Sequence, residues 1–434
     1  MRFRHPIIRP IFLIFLSLFF IPYSSPTFAQ SRPKVALVLS GGGAAGLAHV
    51  GVIKVLEEVG MPIDFVAGTS MGSIVGAMYA MGMNSQEMRR LVMEMDWETL
   101  LTDAVPRSDL SFEYKEELEK YFYDFPITKE GVHLPAGLVA GTNITNMMAG
   151  LTWPAYHIRN FNQLPRPYLC IGADIVTGEQ VVLTSGVLHD ALRASMAIPT
   201  AFTPVEVHGK LLVDGGFINN FPAMEAKQMG ADIIIGVDVQ RDLYEKNELK
   251  SVINILKQIS SLTREDVNVR NRQMCDILIR PRTPGAGTLT FGLAYQIMRD
   301  GERIAREHYS DLKKLADQLN RYPGEPSNPI KPLAPVDSVY VREMAFIGLE
   351  HVSPDFVKSK LNLPFPAWLT AGEIYRALQR VYGTNEFVRV TYQLDPVFDG
   401  VRLTIRAEEK EQNLVHIGAH FDNLFNDLYL PSPG

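Results

Sequence analysis

Phe65-Val-Ala-Gly-Thr-Ser-Met-Gly72 joins a short apolar run, typical of a buried strand, to small residues that continue to Ala80. Residues Gly68 to Gly72 match the pattern G-x-S-x-G, which in a strand-to-helix turn presents a serine hydroxyl at the edge of a sheet. We therefore predict that Ser70 is a nucleophile on such a turn. A chance match in a chain with 33 glycines is the alternative.

A second glycine-rich turn lies upstream, where the predicted strand Val35–Leu39 runs into Ser40-Gly-Gly-Gly-Ala-Ala-Gly46. Successive glycines at the start of a helix allow several backbone N–H groups to converge on one anion. The loop alone fits a nucleotide phosphate cradle, loosely matching G-x-G-x-x-G, or an oxyanion hole for acyl transfer. The serine turn favours the oxyanion hole. A nucleotide-binding fold requires an acidic ribose-binding residue after the second strand, but here that strand runs into the serine turn. The predicted donors are the amides of Gly41, Gly42, Gly43 and Ala44.

A serine nucleophile needs a base, and the chain offers a carboxylate as well as histidines. Leu211-Leu-Val-Asp-Gly-Gly216 places Asp214 at the end of a predicted strand, before two glycines that open space around it. Because an aspartate is a weak base, partial burial must raise its pKa for this role. We predict Asp214 as the base, and an Asp-Gly that merely opens a turn is the alternative. The histidines that a Ser-His triad would draw on are His133, His157, His189, His208 and His308, none of which has a distinctive local context.

These motifs, in this order, resemble those of the patatin-like phospholipase family. The segment 193–204, Arg-Ala-Ser-Met-Ala-Ile-Pro-Thr-Ala-Phe-Thr-Pro, also resembles the family's segment before its catalytic aspartate, and the likeness covers residues 34 to 320. The resemblance implies a Ser70–Asp214 dyad without histidine, a glycine-rich oxyanion hole, and no metal or other cofactor. It further implies phospholipid or lysophospholipid as the substrate and a membrane surface as the partner. The glycines that support the motifs are Gly46, Gly68, Gly72, Gly215 and Gly216.

One position departs from the family pattern, because Ala45 stands where many relatives carry Arg or Lys. A basic side chain there would attract anionic head groups, so we expect a weak dependence on anionic lipid. The aromatic segments Tyr121–Phe125 and Trp153–Tyr156 lie between the serine and Asp214, where a rim for lipid access could form. Buried packing is the favoured interpretation of both segments.

Short β-branched runs alternate with helical stretches over residues 33–322, which predicts a three-layer α/β/α domain with a mostly parallel sheet. A linker with five prolines follows at 323–335. Residues 336–408 have the order β-α-α-β-β and resemble a polypeptide-transport-associated (POTRA) domain, the module that precedes outer-membrane barrels. Apolar and polar residues then alternate from Val415 to Phe421, so we expect 409–434 to begin a truncated barrel. A single edge strand is the alternative.

The N-terminus predicts export. Three arginines precede the apolar run Ile11–Ile21, and Thr27-Phe-Ala29 provides a cleavage site, so residues 1–29 have the pattern of a signal peptide. A transmembrane anchor is the alternative, but Pro22 ends the run early. We expect the protein at the outer membrane, in the periplasm or at the cell surface, or secreted.

Composition excludes some classes of function. The net charge of −6 over 434 residues provides no basic surface for nucleic acid. Two cysteines, Cys170 and Cys275, are too few for a disulfide-stapled scaffold. A non-enzymatic transport or outer-membrane assembly module with a patatin-like passenger stays open as the alternative function, and so does a homo-oligomer.

Overall fold

A computed structural model describes residues 31–107, 110, 123–128, 131–132, 137–247, 249–250, 252–322 and 330–410, and the backbone of three short strands beyond 413. The predicted signal peptide at 1–29 and part of the predicted linker, 323–329, lie outside the described residues. The strands are β1 Val35–Leu39, β2 Phe65–Thr69, β3 Tyr123–Thr128, β4 Gly131–Val132, β5 Gly137–Val139, β6 Tyr168–Asp174, β7 Gln180–Leu183, β8 Thr200–Phe202, β9 Val205–Val207, β10 Lys210–Asp214, β11 Ile233–Val237, β12 Ile277–Ile279, β13 Val339–Ile347, β14 Ala367–Leu369, β15 Phe387–Val397, β16 Gly400–Glu409, β17 Leu414–Ile417, β18 His420–Asp422 and β19 Asp427–Tyr429.

The helices connect these strands and cover the sheets. The α-helices are α1 Ala48–Glu58, α2 Met71–Ala80, α3 Ser85–Glu94, α4 Trp97–Thr102, α5 Thr142–Leu151, α6 Leu188–Ser195, α7 Ala223–Gln228, α8 Val252–Gln273, α9 Ala294–Glu307, α10 Tyr309–Leu319, α11 Pro354–Leu361 and α12 Ala371–Tyr382. Short 3-10 turns span Gly43–Leu47, Trp153–Ala155, Phe161–Gln163, Gly215–Phe217 and Phe291–Leu293.

The largest sheet in the described part of the chain has eight strands, in the order β12-β11-β1-β2-β6-β10-β9, with β7 also paired to β6. Strands β12, β11, β1, β2 and β6 run parallel to one another. Strands β10, β9 and β7 are antiparallel to their neighbours. The predicted α/β fold with a mostly parallel sheet is confirmed.

Both faces of this sheet are covered, as the near-continuous apolar character of β1 requires. Val35, Leu37 and Leu39 point to one face and pack in a cluster with α1, α2 and α9. Ala36 and Val38 point to the other face and pack with α7. Successive side chains of a strand alternate between faces, so one apolar strand joins two helical layers.

A second sheet of four strands, β14-β13-β16-β15, follows the first. Helices α11 and α12 pack on it, and a capping box between Thr370 and Glu373 begins α12. The predicted order β-α-α-β-β omits β14, which pairs with β13 between the two helices. Pro366 directly precedes this three-residue strand and Pro364 lies two residues earlier, so no longer β-branched run indicates a strand here.

The second sheet shares its apolar core with α5 and the turn after it. Trp153 is 2% exposed and lies in the same cluster as β13, β15 and β16. Its indole Nε1 donates to the Tyr392 hydroxyl at 2.8 Å, and Asn146 Nδ2 donates to the Val390 carbonyl oxygen at 2.9 Å. Trp153 is therefore packed inside the molecule, as the favoured interpretation of its segment predicted.

The predicted linker and barrel strand are only partly described. In the linker, the Leu333 amide donates to the Met81 carbonyl oxygen at 3.0 Å, which fastens the chain to the end of α2. Strand β17 pairs antiparallel with β3, with Val415 opposite Phe125. No helix among the described residues combines the length and the apolar character needed to cross a bilayer.

Candidate active site

Ser70 lies on the tight turn that G-x-S-x-G predicts, between β2 and α2, and is 5% exposed. Its backbone has φ 53° and ψ −125°, a conformation that costs a residue with a side chain of the order of 1–3 kcal/mol. A Cβ added to Gly68 would lie 2.4 Å from the Gly72 carbonyl oxygen, and one added to Gly72 would lie 2.4 Å from that of Leu39. The flanking glycines therefore permit a turn that presses against β1.

The side chains of Ser70 and Asp214 are in direct contact. Ser70 Oγ donates to Asp214 Oδ2 at 2.7 Å. Strand β6 separates the two strands that carry them. Thr69 pairs with Ile171 on one side, and Asp214 pairs with the next residue, Gly172, on the other. The register therefore places serine and carboxylate at the same level of the sheet, although 144 residues separate them in sequence.

Burial raises the pKa of Asp214 from 3.8 to about 6, because desolvation penalises the carboxylate. Hydrogen bonds from the Ser70 hydroxyl and the Gly216 amide, the latter 2.7 Å from Oδ1, oppose this rise, as does the positive charge of Arg264. Arg264, on α8, donates to the Gly216 carbonyl oxygen. A carboxylate that is basic yet ionised near neutral pH is suited to accept a serine proton.

The glycine-rich loop lies against Ser70, since a Cβ added to Gly41 would be 2.9 Å from Ser70 Cβ. Two of the four predicted oxyanion donors are already engaged. The Gly41 amide donates to the Asn220 carbonyl oxygen at 3.1 Å, and the Ala44 amide donates to that of Thr288 at 2.9 Å.

The amides of Gly42 and Gly43 donate to no group within the described residues. In this conformation, therefore, Gly42 and Gly43 have amides without an acceptor in the described part of the chain, whereas the amides of Gly41 and Ala44 are engaged by other acceptors, and the role of all four as oxyanion donors stays a prediction. The acceptors that engage Gly41 and Ala44 come from segments near 220 and 288, which local sequence does not reveal.

Buried polar groups hold the loop in place. His49 Nε2 donates to the Ser40 carbonyl oxygen at 2.8 Å, and burial lowers the pKa of His49 to about 4, so the ring is neutral at pH 7. The Ser40 hydroxyl accepts from the Val239 amide at 2.9 Å, and Asn220 Nδ2 donates to the Gly41 carbonyl oxygen at 3.2 Å. These contacts orient the peptide groups on either side of Gly41.

The other predicted motif glycines lie where the loops of the site touch one another. An added Cβ would lie 2.5 Å from Met71 Cγ at Gly46, 2.2 Å from the Ile171 carbonyl oxygen at Gly215, and 2.6 Å from Asn220 Oδ1 at Gly216. The absence of a side chain at these three glycines therefore lets the Ser70 turn, the glycine-rich loop and the Asp214 turn approach their neighbours closely.

Among the described residues, no histidine is hydrogen-bonded to Ser70. Of the five histidines considered from sequence, His157 and His208 are exposed, His308 is half-buried, His189 is buried with Nε2 3.6 Å from Asp190 Oδ1, and His133 lies outside the described residues. The hydroxyl's partner is the carboxylate.

Sequence reasoning assigned no role to Ser195, Asn220 or Arg264. Ser195 lies in the family-like segment at 193–204, so the resemblance marked its surroundings but not its contact. Arg264 comes from a long helix 50 residues beyond Asp214, with no local pattern to identify it. Only the fold shows that these side chains meet.

A strained, buried serine on a strand-to-helix turn, bonded to a carboxylate, is the arrangement of a serine hydrolase. Residues 37–227 match the family model described as patatin-like phospholipase. This part of the chain is therefore similar to the patatin-like phospholipase family.

Curated proteins show the same similarity. The chain is 30% identical over 295 residues to patatin-like phospholipase domain-containing protein 7 of Rattus norvegicus, covering 62% of this chain and 20% of that protein. An uncharacterized NTE family protein of Mycobacterium bovis is 34% identical over 210 residues, covering 48% of this chain and 50% of the relative. The match thus spans about a fifth of the mammalian protein and half of the mycobacterial one.

Solved structures show a more distant likeness. VipD from Legionella pneumophila aligns with 15% identity and a TM-score of 0.37, covering 64% of this chain and 67% of that one. The similarity to patatin-like phospholipases rests on the sequence matches and not on this superposition.

Proposed function

We propose that the chain is an exported lipid acyl hydrolase of the phospholipase A or lysophospholipase type, acting through Ser70 and Asp214. The observation that carries the proposal is the 2.7 Å hydrogen bond from Ser70 Oγ to a carboxylate whose pKa burial has raised. Sequence similarity to patatin-like phospholipases supplies the lipid ester as the substrate class. Hydrolysis of a phospholipid by the purified chain, compared with its Ser70→Ala variant, tests it.

In the first half of the reaction, Asp214 Oδ2 accepts the Ser70 proton as Oγ attacks the ester carbonyl carbon. The carbonyl π electrons move onto its oxygen. When this intermediate collapses, the bond to the alcohol oxygen breaks, and Asp214 returns the proton to that leaving group. The alcohol released in this half is a lysophospholipid from a phospholipid substrate, or the deacylated glycerophosphodiester from a lysophospholipid, and the acyl group stays on Ser70.

In the second half, water attacks the acyl-serine and gives one proton to Asp214. Collapse releases the fatty acid, and the proton returns to Ser70 Oγ, which restores the dyad. Both tetrahedral intermediates carry a negative oxygen. The unengaged amides of Gly42 and Gly43 are the donors we assign to it, because the loop already lies against Ser70.

Activity should depend on pH through Asp214. The carboxyl group must be ionised to accept a proton, so kcat/KM should rise as pH increases through about 6 and then level off. This rise is the acid limb of the pH profile. Because the pKa of Asp214 is raised, the limb should lie about two pH units higher than it would for an ordinary aspartate. A profile of a soluble ester from pH 4 to 8 gives the measurement. A limb near pH 4 would show that Asp214 is not the group that titrates.

The substrate we propose is lipid in an aggregated or bilayer form. Apolar side chains are exposed on α8, where Ile259 is 53% and Leu262 is 55% exposed, on the helix that also carries Arg264 to the Asp214 turn. An exposed apolar stripe beside a site is a feature of surfaces that bind lipid. Trp153, by contrast, is buried and takes no part in such a rim.

Neutral and anionic vesicles at matched salt should be hydrolysed at similar rates, and both faster than a soluble short-chain ester. The glycine-rich loop carries Ala45, which is 7% exposed, and brings no cation to a head group. A strong preference for anionic vesicles would contradict this expectation and would mean that other basic residues contact the head group.

The export route is part of the proposal. We infer that 1–29 directs secretion, that the second sheet acts as a POTRA-like unit, and that the tail leads toward an outer-membrane barrel. A barrel strand at 415–421 would require β17 to exchange its pairing with β3 for a barrel neighbour. Fractionation of cells, with the mass of the mature N-terminus, checks the location.

The second sheet also favours a different function, a transport or assembly module with an inactive passenger. Esterase assays distinguish this function from the proposed hydrolase. An inactive passenger would hydrolyse no ester even though Ser70 is present.

A further inference from the structure

The turn that ends α6, residues Ser195–Ala197, is hydrogen-bonded to both members of the dyad. The Ser70 amide donates to Ser195 Oγ at 3.0 Å. The Asp214 amide donates to the Ala197 carbonyl oxygen at 2.9 Å. One short segment therefore holds the backbone of Ser70, on the turn after β2, and the backbone of Asp214, at the end of β10.

Ser195 is placed to make this connection rigid. Its side chain is fully buried, and its hydroxyl donates to the Ile171 carbonyl oxygen at 2.6 Å while accepting from Ser70. Ile171 lies on β6, the strand between the serine and the carboxylate. With its proton directed to Ile171, the hydroxyl presents a lone pair to the Ser70 amide.

The Ser70 amide needs such an acceptor. The residue has a left-handed φ of 53°, so its conformation persists only where the surroundings impose it. Without Ser195 Oγ, a buried N–H group would lose its partner, which is unfavourable for the native turn. The turn would relax toward a different conformation, and Oγ would move away from Asp214.

Helix α6 is itself anchored beside this turn. Arg193 is 1% exposed, and its Nη2 donates to the carbonyl oxygens of Ala140 and Thr203 at 3.1 and 3.2 Å. In the first turn of the helix, Asp190 Oδ2 accepts from Arg406 Nη1 of the second sheet at 2.8 Å. The segment that holds the dyad is thus fastened to the chain just after β5 and β8 and to strand β16 of the second sheet.

We propose that Ser195 is a positioning residue for the dyad, holding the strained Ser70 backbone so that Oγ stays bonded to Asp214. The inference rests on the proposed function. It gives the family-like segment at 193–204 a physical role, in which the hydroxyl acts through Ser70 and does not touch the substrate.

Ser195→Ala should lower kcat about 10- to 100-fold with little change in KM, because small displacements of a reacting group cost that much. The Ser70 hydrogen bond is one of the contacts that hold down the pKa of Asp214. Its loss should therefore move the acid limb of the pH profile above about 6. A purely structural role would lower the melting temperature without moving this limb.

Two further variants complete the test. Ser195→Cys keeps the shape of the side chain, but a thiol forms only weak hydrogen bonds, so its kcat and its acid limb should lie between those of wild type and Ser195→Ala. If Ser195→Ala does not fold, Ser195→Cys decides the outcome. Ser85→Ala removes another buried serine hydroxyl, one bonded to Glu57, and should leave kcat and the pH limb unchanged.

Wild-type kcat and an unmoved limb in folded Ser195→Ala or Ser195→Cys would overturn the proposal. The proposed function fails separately, if Ser70→Ala keeps its activity.

Discussion

Ser70→Ala is expected to abolish ester hydrolysis, and Asp214→Asn to reduce it by about 10³-fold or more, since one removes the nucleophile and the other its base. The two residues act as a unit through one 2.7 Å hydrogen bond. The double variant should therefore be little worse than Ser70→Ala. Steady-state rates on a soluble ester at pH 8 provide the measurement.

A glycine variant separates lost chemistry from lost folding. Glycine adopts the left-handed φ of Ser70 without strain, so Ser70→Gly should be inactive yet more stable than Ser70→Ala by roughly 1 kcal/mol. Thermal unfolding measures this difference. Substantial activity in either variant would exclude Ser70 as the nucleophile.

Gly43→Ala is expected to lower kcat by about 10²- to 10³-fold, the range observed when an oxyanion donor is removed. Gly43 has φ 56°, and an added Cβ would lie 2.2 Å from the Thr288 carbonyl oxygen. Because the Cβ is fixed to the loop and the Thr288 oxygen belongs to the backbone, neither can move aside alone. The loop must therefore shift, and the amides of Gly42 and Gly43 would no longer point where the oxyanion forms.

Gly178→Ala is the matched control for this loop. Gly178 has φ 74°, and an added Cβ would meet nothing within 4 Å, so the variant carries the same conformational penalty without a steric one. It should keep wild-type kcat while losing stability. Equal kcat in Gly43→Ala and Gly178→Ala would show that the loop does not stabilise the transition state.

The fold was largely predictable because its signals are local. Apolar runs such as Val35–Leu39 and Phe65–Ala67 are buried strands, and the G-x-S-x-G turn depends on glycines that are neighbours in sequence. Strand β14 escaped notice because three residues after a proline carry no periodic pattern.

The site was predictable only in part, since its contacts join distant segments. Ser70 and Asp214 were identified from their own motifs. The amides of Gly41 and Ala44 are engaged by the carbonyl groups of Asn220 and Thr288, which no local pattern connects to the loop.

The role of Ser195 likewise depends on tertiary structure. A single buried serine in a helix has no distinctive signature, and its bond to the Ser70 amide spans 125 residues.

Labelling with a fluorophosphonate tests the role of Ser70 most directly. The probe forms a covalent bond only with an activated serine, and peptide mass spectrometry locates the adduct. We predict one adduct on Ser70 in the wild-type protein, a much slower one in Asp214→Asn, and none in Ser70→Ala. An adduct on another residue, or ester hydrolysis that persists after Ser70 is fully labelled, would contradict the mechanism.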